Sequence, residues 1–203
     1  AFGGCSALAL TALPSSVDSI GIGAFANCTS LTVNNIHAGT TVGNIAFQGC
    51  SGITDMTVGS NATIGTGVFQ SCTNLNNVTF GSGVTIADGS NLFNGCSKLQ
   101  TVDLSAADIT TAGKRMFYQC KLLTTVQLPS SLNVLGEEMF NGCTSLVFDF
   151  TGITEIGANC FNSSTFTSVE MPDVVTIGAN AFQWSKSLES VSMPKVETIG
   201  KYA

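Results

Sequence analysis

The chain has 203 residues, of which 44% are hydrophobic and 10% are charged, and its seven Lys and Arg against 13 Asp and Glu give a net charge of −6. This hydrophobic content is enough for a folded core and excludes a disordered chain. The shortage of cations argues against a nucleic-acid partner, because phosphate binding needs clustered Lys and Arg. No apolar run approaches the roughly 18 residues of a membrane helix, so we expect no direct membrane insertion.

A repeat is visible in the phenylalanines. A glycine stands four positions before each Phe from the second unit onward, and the unit reads I-G-x-x-A-F-x-x-C-x-x-L-x-x-V-x-L-P. A period of this length predicts stacked structural repeats, that is, a solenoid. The repeated phenylalanines, 21 to 24 residues apart, are Phe2, Phe25, Phe47, Phe69, Phe93, Phe117, Phe140, Phe161 and Phe182.

Each unit contains a strand signal followed by a return path. The segment L-x-x-V-x-L, as in 99–104, alternates with period two and predicts a strand that buries one face. The return path predicts a short extended piece before the glycine, at 134–135 and 176–177, and a helical or 3₁₀ turn around x-A-F-x-x-C. We therefore predict a right-handed coil of about nine repeats of ~22 residues, with a parallel β-sheet on the concave face. The repeated glycine predicts a backbone with positive φ.

Some units depart from the pattern. Thr11 and Asn34 replace the usual Val, and the seventh and eighth units are each one residue short, which makes the local strand register uncertain. The four phenylalanines outside the repeat position all fall at inward strand positions, so we expect no Phe-lined ligand groove. These four are Phe80, Phe148, Phe150 and Phe166.

The cysteines follow the repeat as well. Seven of the eight occupy the position three after the Phe, where parallel Cα–Cβ vectors keep neighbouring Cβ atoms too far apart for a relaxed disulfide. We predict free, buried thiols, since Ser164 and Ser185 fill the same small slot in the last two units. Cys160 takes a buried alanine position, and the single histidine, His37, is predicted at a solvated strand end. The sequence predicts no metal site, no cofactor and no catalytic residues, because no convergent set of ligands, acids, bases or nucleophiles is present.

The outward strand positions define a candidate binding surface, which we call the concave face. Its side chains are short, polar and mildly acidic, and the alternative is a merely solvated surface without binding energy. The predicted residues of the concave face are Asp55, Thr57, Asn77, Thr79, Thr101, Asp103, Thr125, Gln127, Asp149, Ser168, Glu170, Ser190 and Ser192, with Val147 on the same side.

A second candidate contact lies at the edge of the coil. The two positions after the repeated Phe are normally small or polar, but Tyr118 and Trp184 are bulky aromatics there. Because Trp and Tyr are enriched at contact sites, this edge is a hypothetical docking point for a partner or a neighbouring domain. The alternative is a Trp that lies flat over its own coil.

The sequence begins and ends partway through a repeat unit. It starts at Phe2, and Tyr202-Ala203 stop one residue before the next expected Phe. We expect 1–203 to form one repeat domain that is cut within a repeat at both ends and belongs to a longer protein.

The repeat resembles a known class. The segments IGANAFQWSKSLESVSMPKVETIG (177–200) and LGEEMFNGCTSL (135–146) resemble the BspA-like leucine-rich repeat of bacterial and protist surface proteins, and the resemblance covers the whole chain. It implies a leucine-rich-repeat solenoid at the cell surface or outside the cell, without enzymatic activity, that recognises or adheres to a host or surface protein or glycoprotein. A rigid spacer that presents another domain of the same polypeptide is the alternative role.

Overall fold

The computed structural model describes residues 2–109 and 113–203. Within these ranges the chain forms sixteen short strands, and the segments between them are turns or irregular, with no helix. The strands are β1 Ser19–Ile20, β2 Asn35–Ile36, β3 Thr41–Val42, β4 Asp55–Val58, β5 Thr63–Ile64, β6 Asn77–Phe80, β7 Thr85–Ile86, β8 Thr101–Asp103, β9 Asp108–Ile109, β10 Thr125–Gln127, β11 Val134–Leu135, β12 Glu155–Ile156, β13 Ser168–Glu170, β14 Thr176–Ile177, β15 Ser190–Ser192 and β16 Thr198–Ile199.

The strands form two parallel layers that confirm the predicted solenoid. The strands of the concave face follow the order β10-β8-β6-β4-β2, with β13-β15 as a separate pair. The extended pieces of the return path form back sheets in the orders β1-β3-β5-β7-β9 and β11-β12-β14-β16. Residues of equal repeat position pair with one another, as Val78 pairs with Val102 and Thr101 with Thr125. Like side chains therefore fall into columns along the coil.

The column of phenylalanines fills the centre of the solenoid. Neighbouring rings of the repeat stack with centroids 5.3–6.1 Å apart and planes within 1–15° of parallel. The rings from Phe47 to Phe161 are almost completely buried. Offset stacking of this kind adds to the burial of apolar surface, so the column helps to hold successive coils together.

The turn around each repeated Phe is not the helical or 3₁₀ turn that the pattern predicted. Isolated turns occur instead, such as the one in which the Cys96 N–H donates to the Phe93 C=O at 3.0 Å. The residues two before and two after the Phe have left-handed backbones, with φ of 55° at Asn91 and 77° at Gly95. Since a right-handed helix cannot pass through such residues, each turn ends after a few residues. The Phe93 N–H then donates to Met116 C=O in the next coil, at 2.8 Å.

The glycine four positions before the Phe serves a different purpose from the one predicted. Gly43 and Gly178 lie outside the left-handed region, and among these glycines Gly89 has a positive φ, of 65°. A Cβ on Gly43 would stand 2.7 Å from the backbone nitrogen of Ile22, and one on Gly178 would stand 2.6 Å from that of Ala158. The glycine is required because successive coils bring their backbones together here.

This explanation predicts that Gly43→Ala destabilises the protein by about 1–3 kcal/mol, the usual cost of overpacking a rigid site. Gly21→Ala is the matched control, because a Cβ at this equivalent glycine would meet no atom within 4 Å. We expect Gly21→Ala to leave the stability unchanged or raise it by less than about 1 kcal/mol. Urea unfolding of both variants measures the difference, and equal losses of stability would disprove the role of close backbone approach.

The concave sheet is interrupted at residues 147–150, where the pattern places a strand and the structure has none. The seventh unit is one residue short between Leu146 and the strand, so its chain cannot follow its neighbours in register. The last backbone bond to the preceding coil in this segment runs from Val147 N–H to Thr124 C=O, at 3.0 Å. We call residues 147–150, with the facing edges of β10 and β13, the sheet break.

Candidate binding surfaces

All thirteen predicted residues of the concave face are exposed. They point outward because alternate residues of each strand, such as Val78 and Val102, enter the core. Twelve of them lie on strands β4, β6, β8, β10, β13 and β15, while Asp149 belongs to the sheet break instead of a strand. Glu170 and Ser192 form the outermost paired positions of β13 and β15.

Hydrogen bonds between neighbouring coils order this surface. The Asn77 amide donates to the Asp55 carboxylate at 3.0 Å, and the Thr79 hydroxyl contacts that of Thr57 at 3.4 Å. The Gln127 amide nitrogen, in the orientation that satisfies both groups, donates to the Asp103 carboxylate at 3.1 Å. Such side-chain ladders hold the polar groups in fixed positions and lower the entropy that a ligand would have to remove.

The concave face is electronegative. Hydrogen bonds from Ser105 lower the pKa of Asp103, and hydrogen bonds from Thr151 lower the pKa of Asp149, so both carboxyl groups stay ionised at neutral pH. The thirteen residues include four carboxylates and no Lys, Arg or His. Three cations pair away from this face, as Lys114 does with Glu137, Arg115 with Glu138, and Lys195 with Asp173. The surface therefore favours a cationic or hydrogen-bonding ligand.

The two candidate edge residues differ in their surroundings. Tyr118 is half-buried, with the Arg115 guanidinium 5.5 Å from its ring centroid, and Arg115 is in turn held by the Glu138 carboxylate at 2.7 and 2.8 Å. Trp184 is 65% exposed, and the Lys186 ammonium lies 5.8 Å from the centroid of its ring. Its φ of 64° places a bulky residue at a left-handed position that Gly holds in other units, such as Gly95 and Gly142. The two aromatics hold different repeat positions, one and two after the repeated Phe, in coils that are three units apart.

The buried cysteine thiols form hydrogen bonds with the backbone. All eight cysteines are free, and seven are buried as predicted, but Cys5 is exposed and departs from the prediction. The thiols also donate hydrogen bonds that the sequence pattern does not reveal, such as that from Cys72 Sγ to the Phe47 C=O at 3.1 Å, and Ser185 Oγ makes the equivalent bond to Phe161. This shared donor explains the exchange of Cys and Ser at one repeat position.

His37 differs from the predicted solvated residue because it is half-buried and both ring nitrogens are engaged. The Asn35 amide nitrogen lies 3.1 Å from Nδ1, and the Leu13 carbonyl lies 3.2 Å from Nε2. An amide nitrogen donates and a carbonyl accepts, so these contacts fit the tautomer with its proton on Nε2. The imidazole joins the first coil to the second.

Two clefts open on either side of the sheet break and correct the expectation that no groove would be lined by phenylalanine. The cleft toward β13 has a volume of about 420 Å³ and the one toward β10 about 470 Å³, and Phe148 and Asp149 line both. Phe150 and Phe166 also line the cleft toward β13. The sequence signal was present in the two shortened units, which leave too little chain to close the sheet over these rings.

The stacked coils, the parallel ladder and the column of inward leucines define a solenoid of the leucine-rich repeat class. The family sequence description "BspA type Leucine rich repeat region" matches in six copies, over residues 1–88, 40–151, 88–187 and 154–203. The chain belongs to this BspA-type leucine-rich repeat family, whose repeats form protein-interaction scaffolds.

Solved structures share the fold. A leucine-rich repeat protein of Eubacterium ventriosum is 29% identical, with a TM-score of 0.66 over 79% of this chain and 44% of that one. The leucine-rich repeat protein of T. pallidum is 22% identical, with a TM-score of 0.63 over 89% of this chain and 78% of that one. A leucine rich cell surface protein of Faecalibacterium prausnitzii is 22% identical, with a TM-score of 0.58 over 91% of this chain and 47% of that one. The chain thus spans less than half the length of the Eubacterium protein.

A comparison with curated proteins found no significant match. Across residues 2–109 and 113–203, no helix has the length and hydrophobicity to cross a bilayer. Within the same ranges, no three His, Cys, Asp or Glu side chains come together as a metal-binding group would require.

Proposed function

We propose that this chain is a non-enzymatic recognition module that acts at the cell surface or outside the cell and binds a protein or glycoprotein through its concave face. The observation that carries the proposal is the uninterrupted ladder from β2 to β10, whose exposed polar groups are held in register from coil to coil. Repeat arrays use such extended faces for binding. The cell-surface neighbour from Faecalibacterium prausnitzii supports the location.

The reactive residues support a role without catalysis. The buried thiols donate to backbone carbonyls, and both ring nitrogens of His37 are engaged between two coils. A nucleophile or a general base must be free to reach a substrate, and these groups are not.

A single bulky substitution tests the concave face. Thr79→Arg places a large cation at the centre of this face, and we expect at least a tenfold loss of binding, because the new side chain covers the Asp55–Asn77 and Thr57 groups. Thr63→Arg is the matched control, since Thr63 is also an exposed strand threonine but lies on the back sheet.

Binding to purified extracellular matrix proteins and immobilised glycans, with circular dichroism to verify folding, provides the measurement. A ligand that binds wild type and Thr63→Arg but not Thr79→Arg supports the proposal. Equal binding by all three proteins, or no binding by wild type across the panel, refutes it.

The alternative role is that of a rigid spacer, and the continuous phenylalanine stack favours it. Rings packed 5.3–6.1 Å apart from the first coil to the last oppose bending of the coil. A spacer does not use the concave face for binding, so Thr79→Arg would leave its role unchanged. The same pair of variants therefore separates the two roles.

A further inference from the structure

The sheet break leaves two strand edges without partners. Strand β10 pairs with β8 alone, and β13 pairs with β15 alone, among the residues that the structure describes. Between them, no backbone bond joins residues 148–150 to either strand. Elsewhere in this solenoid such groups pair with the next coil, so the backbone of Ser168 and Glu170 is free to pair with another chain.

The clefts beside these edges combine an apolar floor with an acidic rim. Phe148 and Phe166 are half-buried in the cleft toward β13, and the buried Phe150 contacts both rings, at centroid distances of 5.0 and 5.9 Å. The carboxylates of Asp149 and Glu170 stand on the rim, and no cation lines either cleft. The volume of about 420 Å³ falls within the range of sites that hold small ligands.

We propose that the cleft toward β13 binds a short extended peptide segment of a partner protein, with a Lys or Arg side chain directed at the rim. The peptide adds to the free edge of β13 and pairs with the backbone of Ser168 and Glu170. Because successive side chains of a strand point to opposite sides, one side packs on Phe148 and Phe166 while the other reaches Asp149 and Glu170. A strand of about three residues matches the length of β13.

The negative charge of the rim makes the cleft bind basic peptides more tightly than acidic ones. A cation directed at the rim gains from the two carboxylates, Asp149 and Glu170. An acidic peptide would meet like charge on the rim and lose affinity. The inference deepens the proposed function, since it names the class of segment recognised at one place beside the concave face.

The test uses the full chain and three labelled, terminally blocked peptides, measured by fluorescence anisotropy. The first is Val-Arg-Val-Arg-Val, and the second replaces both Arg with Glu. The third has the sequence of the first but carries N-methyl groups on alternate residues, so that the backbone N–H donors along one edge of the strand are lost. We expect the Arg peptide to bind at least tenfold more tightly than the other two. Equal binding of the Arg and N-methylated peptides would overturn strand pairing.

Two variants locate the site. Glu170→Gln removes a rim charge, and we expect it to weaken the Arg peptide at least fivefold. Glu155→Gln removes one exposed charge from the back sheet, on strand β12, and we expect no change. Equal weakening by both variants would show that only the general negative field attracts the peptide and would overturn the site.

A backbone measurement on the wild-type chain completes the test. Addition of the Arg peptide should slow amide hydrogen exchange at Ser168 and Glu170, whose edge becomes paired, and not at Asn77 and Thr79, whose strand already has two neighbours. Absence of this protection refutes the inference. If this protection is absent but Thr79→Arg still abolishes binding of a surface ligand, the proposed function stands without the peptide site. If the chain binds the peptide but no surface ligand, the peptide site stands and the proposed function is refuted.

Discussion

Replacing Phe93 with Ala is expected to lower the free energy of unfolding by about 3–5 kcal/mol, the range for a buried Phe truncated in a core. Phe93 has no exposed surface, and its ring stacks between Phe69 and Phe117 at centroid distances of 5.7 and 5.5 Å. It also meets the edge of the Phe80 ring at 6.4 Å. The substitution therefore leaves a cavity and divides the aromatic column in two.

Phe2→Ala is the matched control for this effect. Phe2 holds the same repeat position, but it is 52% exposed and stacks on one ring only, that of Phe25. We expect a loss of less than about 1 kcal/mol, since most of its surface is in water in the folded state. Chemical unfolding followed by circular dichroism measures both variants. Similar losses for the two substitutions would mean that the column does not hold the coils together.

The repeat explains why the architecture could be predicted from the sequence. A single misread unit changes little when eight others fix the period, so the Phe column, the thiols other than Cys5 and the outward residues other than Asp149 lie where the pattern places them. The extended pieces at Val134–Leu135 and Thr176–Ile177 are strands β11 and β14, as predicted. These features depend on side-chain periodicity, which the sequence carries directly.

Contacts between coils are what the pattern could not provide. The role of Gly43 depends on the distance to Ile22 in the preceding coil, and that of Cys72 on a carbonyl at Phe47. Neither partner is marked in the sequence by its residue type, because both contacts involve backbone atoms. The sequence limited the slot to a small side chain but did not reveal the hydrogen bond that it must donate.

The sheet break shows the same limit at the candidate site. The missing residue of the seventh unit indicated a disturbed register near Phe148, but the loss of one residue can be absorbed by a bulge, a turn or an open sheet edge. Only the positions of the backbone show that the ladder opens on both sides. The resulting clefts expose rings that a regular strand would have buried.

Because its thiols are buried, we expect the protein to lose stability as the pH rises above about 9. Burial raises the pKa of Cys50, Cys96 and Cys143 from the ordinary 9.0 to about 12. Between pH 9 and 12 these thiols ionise in the unfolded chain but stay protonated in the folded one, so the unfolded state binds fewer protons and is stabilised relative to the native state. Their stabilising contribution is complete below pH 9 and is lost as the pH approaches 12.

From pH 8 to pH 10 each such thiol should contribute a loss on the order of 1 kcal/mol, so the three together contribute roughly 3–4 kcal/mol. Urea unfolding at both pH values, with a reductant present, measures the loss. The triple variant Cys50→Ser, Cys96→Ser and Cys143→Ser retains hydrogen-bond donors but does not ionise, and we expect its loss to be smaller by about the same amount. If the triple variant and wild type lose equal stability over this interval, the thiol column is not the origin of the alkaline sensitivity.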